Sequence, residues 1–387
     1  MMSKIVSEPT YRRFIVDTLE RFDEANHVYS RVDRGEVIPP EMLPEGDSSK
    51  SAVHQLFNYD PNQKPRRGYS RTDYAFRWAG RTIDYVARRT QYGRENPPKS
   101  PPVKIDSIER MTGLVKRAAQ WFGADLVGVG PLDRTWVFSR LGDHSAQLGL
   151  GGKVGDPIEL PEYFTNVIVI ATEMDFDHVQ RSPAMDASVD LGYSRMGFIA
   201  PSLARFIQEL GFHAMPSGND TALSIPMAVD AGLGELGRNG MLITEKYGPR
   251  VRLCKVFTDL PLVHDKPIDL GIQAYCEVCK KCAELCPGQA IKYGERTAEH
   301  NNISNSSGLL KWPINAEKCI MFWARQRCHC STCIRVCPYN KRDTLFHSVV
   351  RWHVSHLPQF NRLYRWMDDA MGYGKQVLGD PRNEFYP

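Results

Sequence analysis

An α/β (α+β) core followed by a small cysteine-rich domain is the architecture this sequence predicts, and three observations predict it. Nine of the ten cysteines crowd into residues 276–341 of a 387-residue chain. Between residues 105 and 270, apolar runs of strand length alternate with apolar residues at helical spacing. The hydrophobic content of 42% is enough to bury a large core, which at this length divides into two or three domains.

Composition excludes several classes. A net charge of +4 is too small to imply a nucleic-acid partner, and no apolar run reaches the 18 residues a membrane span needs. No signal peptide is visible either. Arg12-Arg13-Phe14 resembles a twin-arginine start, but Asp17, Glu20, Arg21, Asp23 and Glu24 occupy the place of the required apolar stretch. An export signal is therefore expected to have been removed or never to have existed, and the chain as given reads as cytoplasmic.

In chain order, residues 1–104 form an amino-terminal wrapping region. Tyr11–Phe22 has helical character, and 31–65 is rich in proline and polar residues, as suits a segment lying over a surface. From Arg66 to Arg94, arginines interleave with Tyr69, Tyr74, Phe76, Trp78 and Tyr85. The pattern can signal nucleic-acid binding, but the preferred reading is an amphipathic helix whose arginine stems pack on apolar surface. Pro97-Pro98-Lys99-Ser100-Pro101-Pro102 is a stiff linker and closes the region.

The core spans residues 105–270. Asp106 with Glu109 predicts a capping box, Ile108, Met111, Val115, Ala118 and Phe122 continue a helix, and Gly123 ends it. Leu126–Val129 and Val167–Ala171 read as buried strands. A second helix is predicted to begin at Pro201, a favourable first position, with Leu203, Phe206, Ile207 and Leu210 on one face. Met241–Thr244 and Val251–Thr258 supply further strands. Residues 232–237 match Gly-x-Gly-x-x-Gly, but the run follows a helix expected near Pro226 and precedes a strand, the reverse of a dinucleotide fingerprint. Its glycines either let the backbone approach a large flat ligand or form tight turns.

Residues 271–342 carry the clearest chemistry. The run Cys276-x2-Cys279-x2-Cys282-x3-Cys286-Pro287 is that of bacterial ferredoxins, in which three thiolates hold one [4Fe-4S] cube and the fourth reaches a second. Cys319-x10-Cys330-x2-Cys333-x3-Cys337-Pro338 repeats it in stretched form. The crossing rule assigns Cys276, Cys279, Cys282 and Cys337 to one cube, and Cys286, Cys319, Cys330 and Cys333 to the other. Cys328 competes with Cys319 for a corner, and Cys319 is preferred. Zinc sites and disulfides do not require this crossing with its prolines. Residues 343–387 form an aromatic- and arginine-rich tail expected to pack back over the clusters, with His353 and His356 not ligands.

A resemblance joins these parts. Gly192-Tyr193-Ser194, Gly218-Asn219-Asp220-Thr221, Pro226-Met227-Ala228-Val229, Ala231-Gly232-Leu233-Gly234-Glu235, Gly237-Arg238-Asn239-Gly240 and the stretch from Gly248-Pro249-Arg250 to Asp259-Leu260 resemble the corrinoid-dependent reductive dehalogenases over roughly residues 105–342. The resemblance implies cobalamin bound base-off in a nitroreductase-like core, with Gly218, Gly232, Gly234, Gly237, Arg238 and Asn239 around the cofactor. It also implies two [4Fe-4S] clusters fed by an external low-potential donor. Tyr193, Asn219 and Arg252 fall on the family's catalytic positions, Arg250 being a near neighbour of the last.

The residue types suit the chemistry, because a carbon centre losing halide needs a proton from a donor that stays protonated. A free tyrosine ionises near pH 10. A guanidinium about 4 Å away, at an effective dielectric of about 20, favours tyrosinate by at most about 4 kcal/mol, with burial opposing it. The family further implies a small organohalide, a chlorinated alkane or alkene, as substrate of a terminal reductase in organohalide respiration. It also implies a small membrane anchor protein and a peripheral place on the outer face of the cytoplasmic membrane. No nucleic-acid partner is expected, and a homodimer is compatible with the sequence. The rival readings are an epoxyqueuosine reductase acting on tRNA, and an iron–sulfur electron carrier without corrinoid.

Overall fold

The computed structural model describes residues 4–43, 51–56, 71–183, 185–300 and 302–377. Parts of the proline-rich 31–65 segment, Arg66 and Tyr69 of the arginine stretch, and Tyr386 of the tail lie outside the described residues. At the centre is an antiparallel sheet of four strands in the spatial order Leu126–Pro131, Asn166–Glu173, Val251–Thr258 and Ala214–Ser217. Both middle strands have apolar side chains on each face, and for that reason Val167–Ala171 runs apolar without alternation, while Arg252 and Lys255 interrupt the apolar residues of Val251–Thr258. Ile168, Ile170, Cys254 and Val256 point into one core, while Val167, Val169, Ala171, Leu253 and Phe257 point into the other.

The first core is roofed by a long helix, Asp186–Glu209, flanked by the helix Ile108–Trp121. The expected helix at Pro201 is therefore real but starts fifteen residues earlier, with Pro201 in its interior. Proline there removes the hydrogen bond to the Gly197 carbonyl. At Gly197 the neighbouring chain comes so close that an added Cβ would lie 3.1 Å from Ala87 Cβ and 3.3 Å from Asp84 Cα. Packing against that neighbour outweighs the local cost. The Ile108–Trp121 helix is capped by Ser107, whose Oγ accepts from Arg110 N at 3.2 Å, in place of the expected Asp106.

The amino-terminal region does more than wrap. Lys4–Ile5 pairs with Ile268–Asp269, and Tyr11 enters the second core edge-on to Trp136. The helices Arg71–Gly80 and Thr82–Thr90 lie along the long helix. Arg77, Arg81 and Arg88 are all buried. Each pairs with a carboxylate at the interface with the long helix or on its own helix, so their charges are turned inward instead of lying on the protein surface.

The cysteine region is a set of short helices, Ile272–Cys279, Lys281–Glu284, Ala316–Gln326 and Thr332–Arg335. Glu235, fully buried in the second core's margin, accepts from Leu270 N at 2.6 Å and Ile272 N at 3.2 Å and so ties the first of these helices to the core. The tail forms helices Leu345–His356 and Asn361–Ala370. Arg365 Nε donates to Cys279 O at 2.9 Å, and Lys281 pairs with Asp368 at 2.6 Å, so the tail lies on the first cysteine run. Among the described residues no helix is long and apolar enough to cross a membrane.

Candidate active site and cluster-binding region

Tyr193 projects from the long helix and is 7% exposed. Gly192 beside it leaves room for the Arg252 side chain, since a Cβ there would lie 2.9 Å from Arg252 Cγ. Through that gap the Arg252 guanidinium reaches a point 5.0 Å from the centre of the Tyr193 ring. Arg252 lies on the Val251–Thr258 strand, opposite Thr172. The Gly218-Asn219-Asp220 turn follows the edge strand Ala214–Ser217, and Asp220 holds it by accepting from Gly218 N at 3.0 Å. Lys255 Nζ donates to Gly218 O at 2.6 Å. Asn219 Nδ2 then donates to the Tyr193 hydroxyl at 3.3 Å. Three residues 26 to 59 positions apart in sequence thus meet at one phenol. Arg250 does not join them: it pairs with Glu173 at 2.9 Å and donates to the carbonyls of Tyr247 and Lys341.

Four groups outside the expected set complete this centre. Arg81 and Arg88 stand 4.9 and 5.7 Å from the Tyr193 ring centre. Asn219's neighbour Asp220 is buried. Tyr29 lies close enough to Tyr193, Arg252 and Cys319 to feel their charges, although burial dominates and drives its phenol well above the ordinary range. A signal for the arginines exists in the sequence: Arg77, Arg81, Asp84 and Arg88 recur at steps of four, three and four. That is the spacing of a buried helix stripe, and it matches Asp186 and Asp190 one turn apart on the partner helix. No such signal marks Tyr29.

The cysteines form two quartets by mutual influence. After burial, the charges raising the Cys282 thiol are those of Cys276, Cys337 and Cys279 before Cys333. For Cys333 they are Cys330, Cys319 and Cys286 before Cys337. Burial pushes Cys276 up to about 11 and Cys319 to about 12. Thiols so placed need metal to remain thiolates, and their number and grouping fit two cubes. Cys328 stands apart, its Sγ directed at Pro183 O at 3.5 Å and its thiol raised by burial and by Asp186. Among the described residues there is no group of three His, Cys, Asp or Glu side chains placed for a single metal ion.

The glycine-rich run is committed to chain packing. An added Cβ at Gly232, where φ is +72°, would lie 2.4 Å from Lys266 O, and one at Gly234 would lie 2.2 Å from Ile243 O. At Gly237 it would meet Ile243 Cδ1 at 2.5 Å. Arg238 stacks on Trp312 at 4.2 Å and donates to the carbonyls of Cys276, Lys292, Tyr293 and Gly294. Asn239 Nδ2 reaches Cys333 O at 3.4 Å. Of the six residues expected around a cofactor, only Gly218 lies in the turn that carries Asn219 to Tyr193.

Residues 275–340 match the family described as the 4Fe-4S double cluster binding domain. The tetrachloroethene reductive dehalogenase of Sulfurospirillum multivorans is 38% identical over 318 residues, covering 77% of this chain and 63% of that protein. The chain is a homologue of the reductive dehalogenases. A second tetrachloroethene reductive dehalogenase, from Desulfitobacterium hafniense, is 36% identical over 73% of this chain and 57% of its own length. Among solved structures, a catabolic reductive dehalogenase superposes with a TM-score of 0.77 at 22% identity, over 97% of this chain and 50% of that one. The reductive dehalogenase fold therefore includes the amino-terminal region and tail, which the sequence resemblance had left out. This homologue spans about three fifths of the length of the curated relatives it matches and half that of the solved structure.

Proposed function

We propose that the protein is a corrinoid-dependent reductive dehalogenase that replaces chlorine by hydrogen in a small chlorinated alkene, as terminal reductase of organohalide respiration. The observation carrying this reading is the meeting of Asn219 and Arg252 on Tyr193. Buried polar atoms without partners at the same place, Arg252 Nε and Thr172 Oγ1, suit a bound polar group, and cobalamin, held base-off, is the group we assign. When bound, it supplies a cobalt centre able to donate electrons to a carbon–halogen bond.

The overall change is R–Cl plus two electrons and one proton giving R–H and chloride. Because Asn219 donates to the phenol oxygen, the hydroxyl hydrogen of Tyr193 is free to point at substrate carbon. After that proton leaves, the Arg252 guanidinium at the ring stabilises the phenolate, and solvent returns the proton. Cys276, Cys279, Cys282 and Cys337 would hold one cluster. Cys286, Cys319, Cys330 and Cys333 would hold the other, and Cys319 is near enough to Tyr29 to act on its phenol. Electrons from an external low-potential donor would enter through the first. A small membrane anchor protein, a peripheral extracytoplasmic location and a homodimer belong to the same reading.

The test is anaerobic oxidation of reduced viologen by the cobalamin-loaded protein, with tetrachloroethene, a haloaromatic or epoxyqueuosine as acceptor. Chloride release stoichiometric with viologen oxidation supports the proposal. Turnover of epoxyqueuosine alone would replace it with a tRNA-modifying activity. The buried ion pairs of Arg77, Arg81 and Arg88 already remove much of the basic surface that recommended that alternative.

A further inference from the structure

Tyr193 is flanked by more positive charge than the three-residue centre requires. Arg81 approaches the ring to 4.9 Å, slightly closer than Arg252 at 5.0 Å. Arg81 is also held more firmly: Nη1 bonds Asp190 Oδ1 at 2.8 Å and Nε lies 3.4 Å from Asp84 Oδ2, both carboxylates being fully buried. Asp190 precedes Tyr193 by three residues on the long helix, so the two side chains share a face and Arg81 bridges them. The helix that brings Arg81 is itself fixed beside Tyr193, because Ser194 Oγ accepts from Ile83 N at 3.2 Å and Asp84 N at 3.3 Å. Those are amides of the first turn of Thr82–Thr90, which lack partners within the helix.

We propose that Arg81 is a positioning residue for Tyr193, clamping its ring against the long helix and, jointly with Arg252, setting how readily the phenol gives up its proton. The proposal rests on the reading of Tyr193 as proton donor only for its kinetic consequence. The groups at the phenol are Arg81 and Arg88 from the amino-terminal helices, Arg252 from the sheet, Asn219 from the turn, and Tyr29; behind them Asp84 and Asp190 hold the arginines and Asp220 holds the turn. Arg77, Arg81 and Arg88 are balanced by Asp84, Asp186 and Asp190, whereas Arg252 has no ion-pair partner among the described residues. Arg81 therefore acts on the ring as the positive end of a fixed ion pair, and removing either half of that pair has opposite consequences.

The test follows Tyr193 directly in the oxidised, cofactor-loaded protein containing 13Cζ-labelled tyrosine, its resonance assigned by its loss in Tyr193→Phe. In Arg81→Gln the titration midpoint of that resonance should rise by about one pH unit, a tenfold change in ionisation. In Asp190→Asn it should fall. Arg81→Lys should restore the midpoint most of the way, and kcat for dehalogenation should drop about tenfold in Arg81→Gln with KM little changed. A midpoint unmoved in Arg81→Gln, or moving the same way in Asp190→Asn, overturns the proposal. Should Arg81→Gln not fold, Asp190→Asn alone decides, and a midpoint that does not fall there overturns the proposal. Midpoints that move as stated in a protein that releases no halide would uphold Arg81 and refute the dehalogenase reading.

Discussion

The cysteine domain and the Tyr193 centre are built in opposite ways. The first draws its chemistry from one stretch of about sixty residues in which ligand order and spacing are the message. The second is assembled from five separated segments carrying Tyr29, Arg81 and Arg88, Tyr193, Asn219 and Arg252, none of which is distinctive alone. A local motif tolerates change around it and fails when a ligand is lost. An assembled centre can fail when a residue that touches no substrate moves a neighbour by an ångström.

Replacing a single ligand should give the largest effect. Cys319→Ser is expected to abolish dehalogenation and lower bound iron by up to roughly half, on the basis of four irons per cube, while Cys328→Ser keeps both clusters. Iron analysis with electron paramagnetic resonance of the reduced protein decides between them, and equal losses in the two variants would undo the assignment of Cys319.

In the assembled centre, Tyr193→Phe should lower the rate about 10²- to 10⁴-fold, the usual span for a general acid, with clusters and corrinoid retained. A variant that keeps its full rate would exclude the proton role. Gly192→Ala is subtler. Alanine favours a helix over glycine by up to about 1 kcal/mol, yet its Cβ would press on Arg252 Cγ at 2.9 Å. We expect thermal stability unchanged or raised and kcat lowered about tenfold, a pairing that unfolding scans and steady-state kinetics will separate.

The smallest effect concerns how the amino-terminal region is fastened. Glu24 is buried, accepts from Gly142 N at 2.8 Å and from the Ser145 hydroxyl, and burial lifts its carboxyl to about 7 from an ordinary 4.5. A carboxyl raised on folding contributes most while protonated, so stability should decline as pH rises from about 4.5 to 7. Glu24→Gln should flatten that decline, by at most a few kcal/mol. Chemical denaturation at pH 5 and pH 8 measures it, and an unchanged slope would show that Glu24 does not titrate in this window.

How much of this was legible beforehand follows the same division. The strand Val251–Thr258 has the bounds the sequence predicts, because its β-branched and apolar residues Val251, Leu253, Cys254, Val256 and Phe257 recur on both faces of a short segment. The start of the long helix was missed, since Pro201 is a sound local start signal and only Gly197's contact with the amino-terminal helix explains why the chain continues through it. The sequence does not show that Arg77 and Arg81 are buried, because their partners Asp186 and Asp190 lie about a hundred residues away, and Arg88 goes inward with its own-helix partner Asp84 only because that helix packs on the long one. Resemblance named Tyr193, Asn219 and Arg252, but periodicity and composition were silent on them.

The sequence by itself determined the sheet's inner strands and the presence of a double cluster domain joined to a larger core, and it predicts how the cysteines divide between the two clusters. These depend on spacing and on hydrophobic runs that are local properties of the chain. Only the tertiary structure decided that Arg250 turns away to Glu173 while Arg252 turns to Tyr193, that the Cys328 thiol turns to Pro183 O, and that Arg81 faces the phenol. Those outcomes depend on which buried charge finds which partner, and a buried charge is placed by the whole fold.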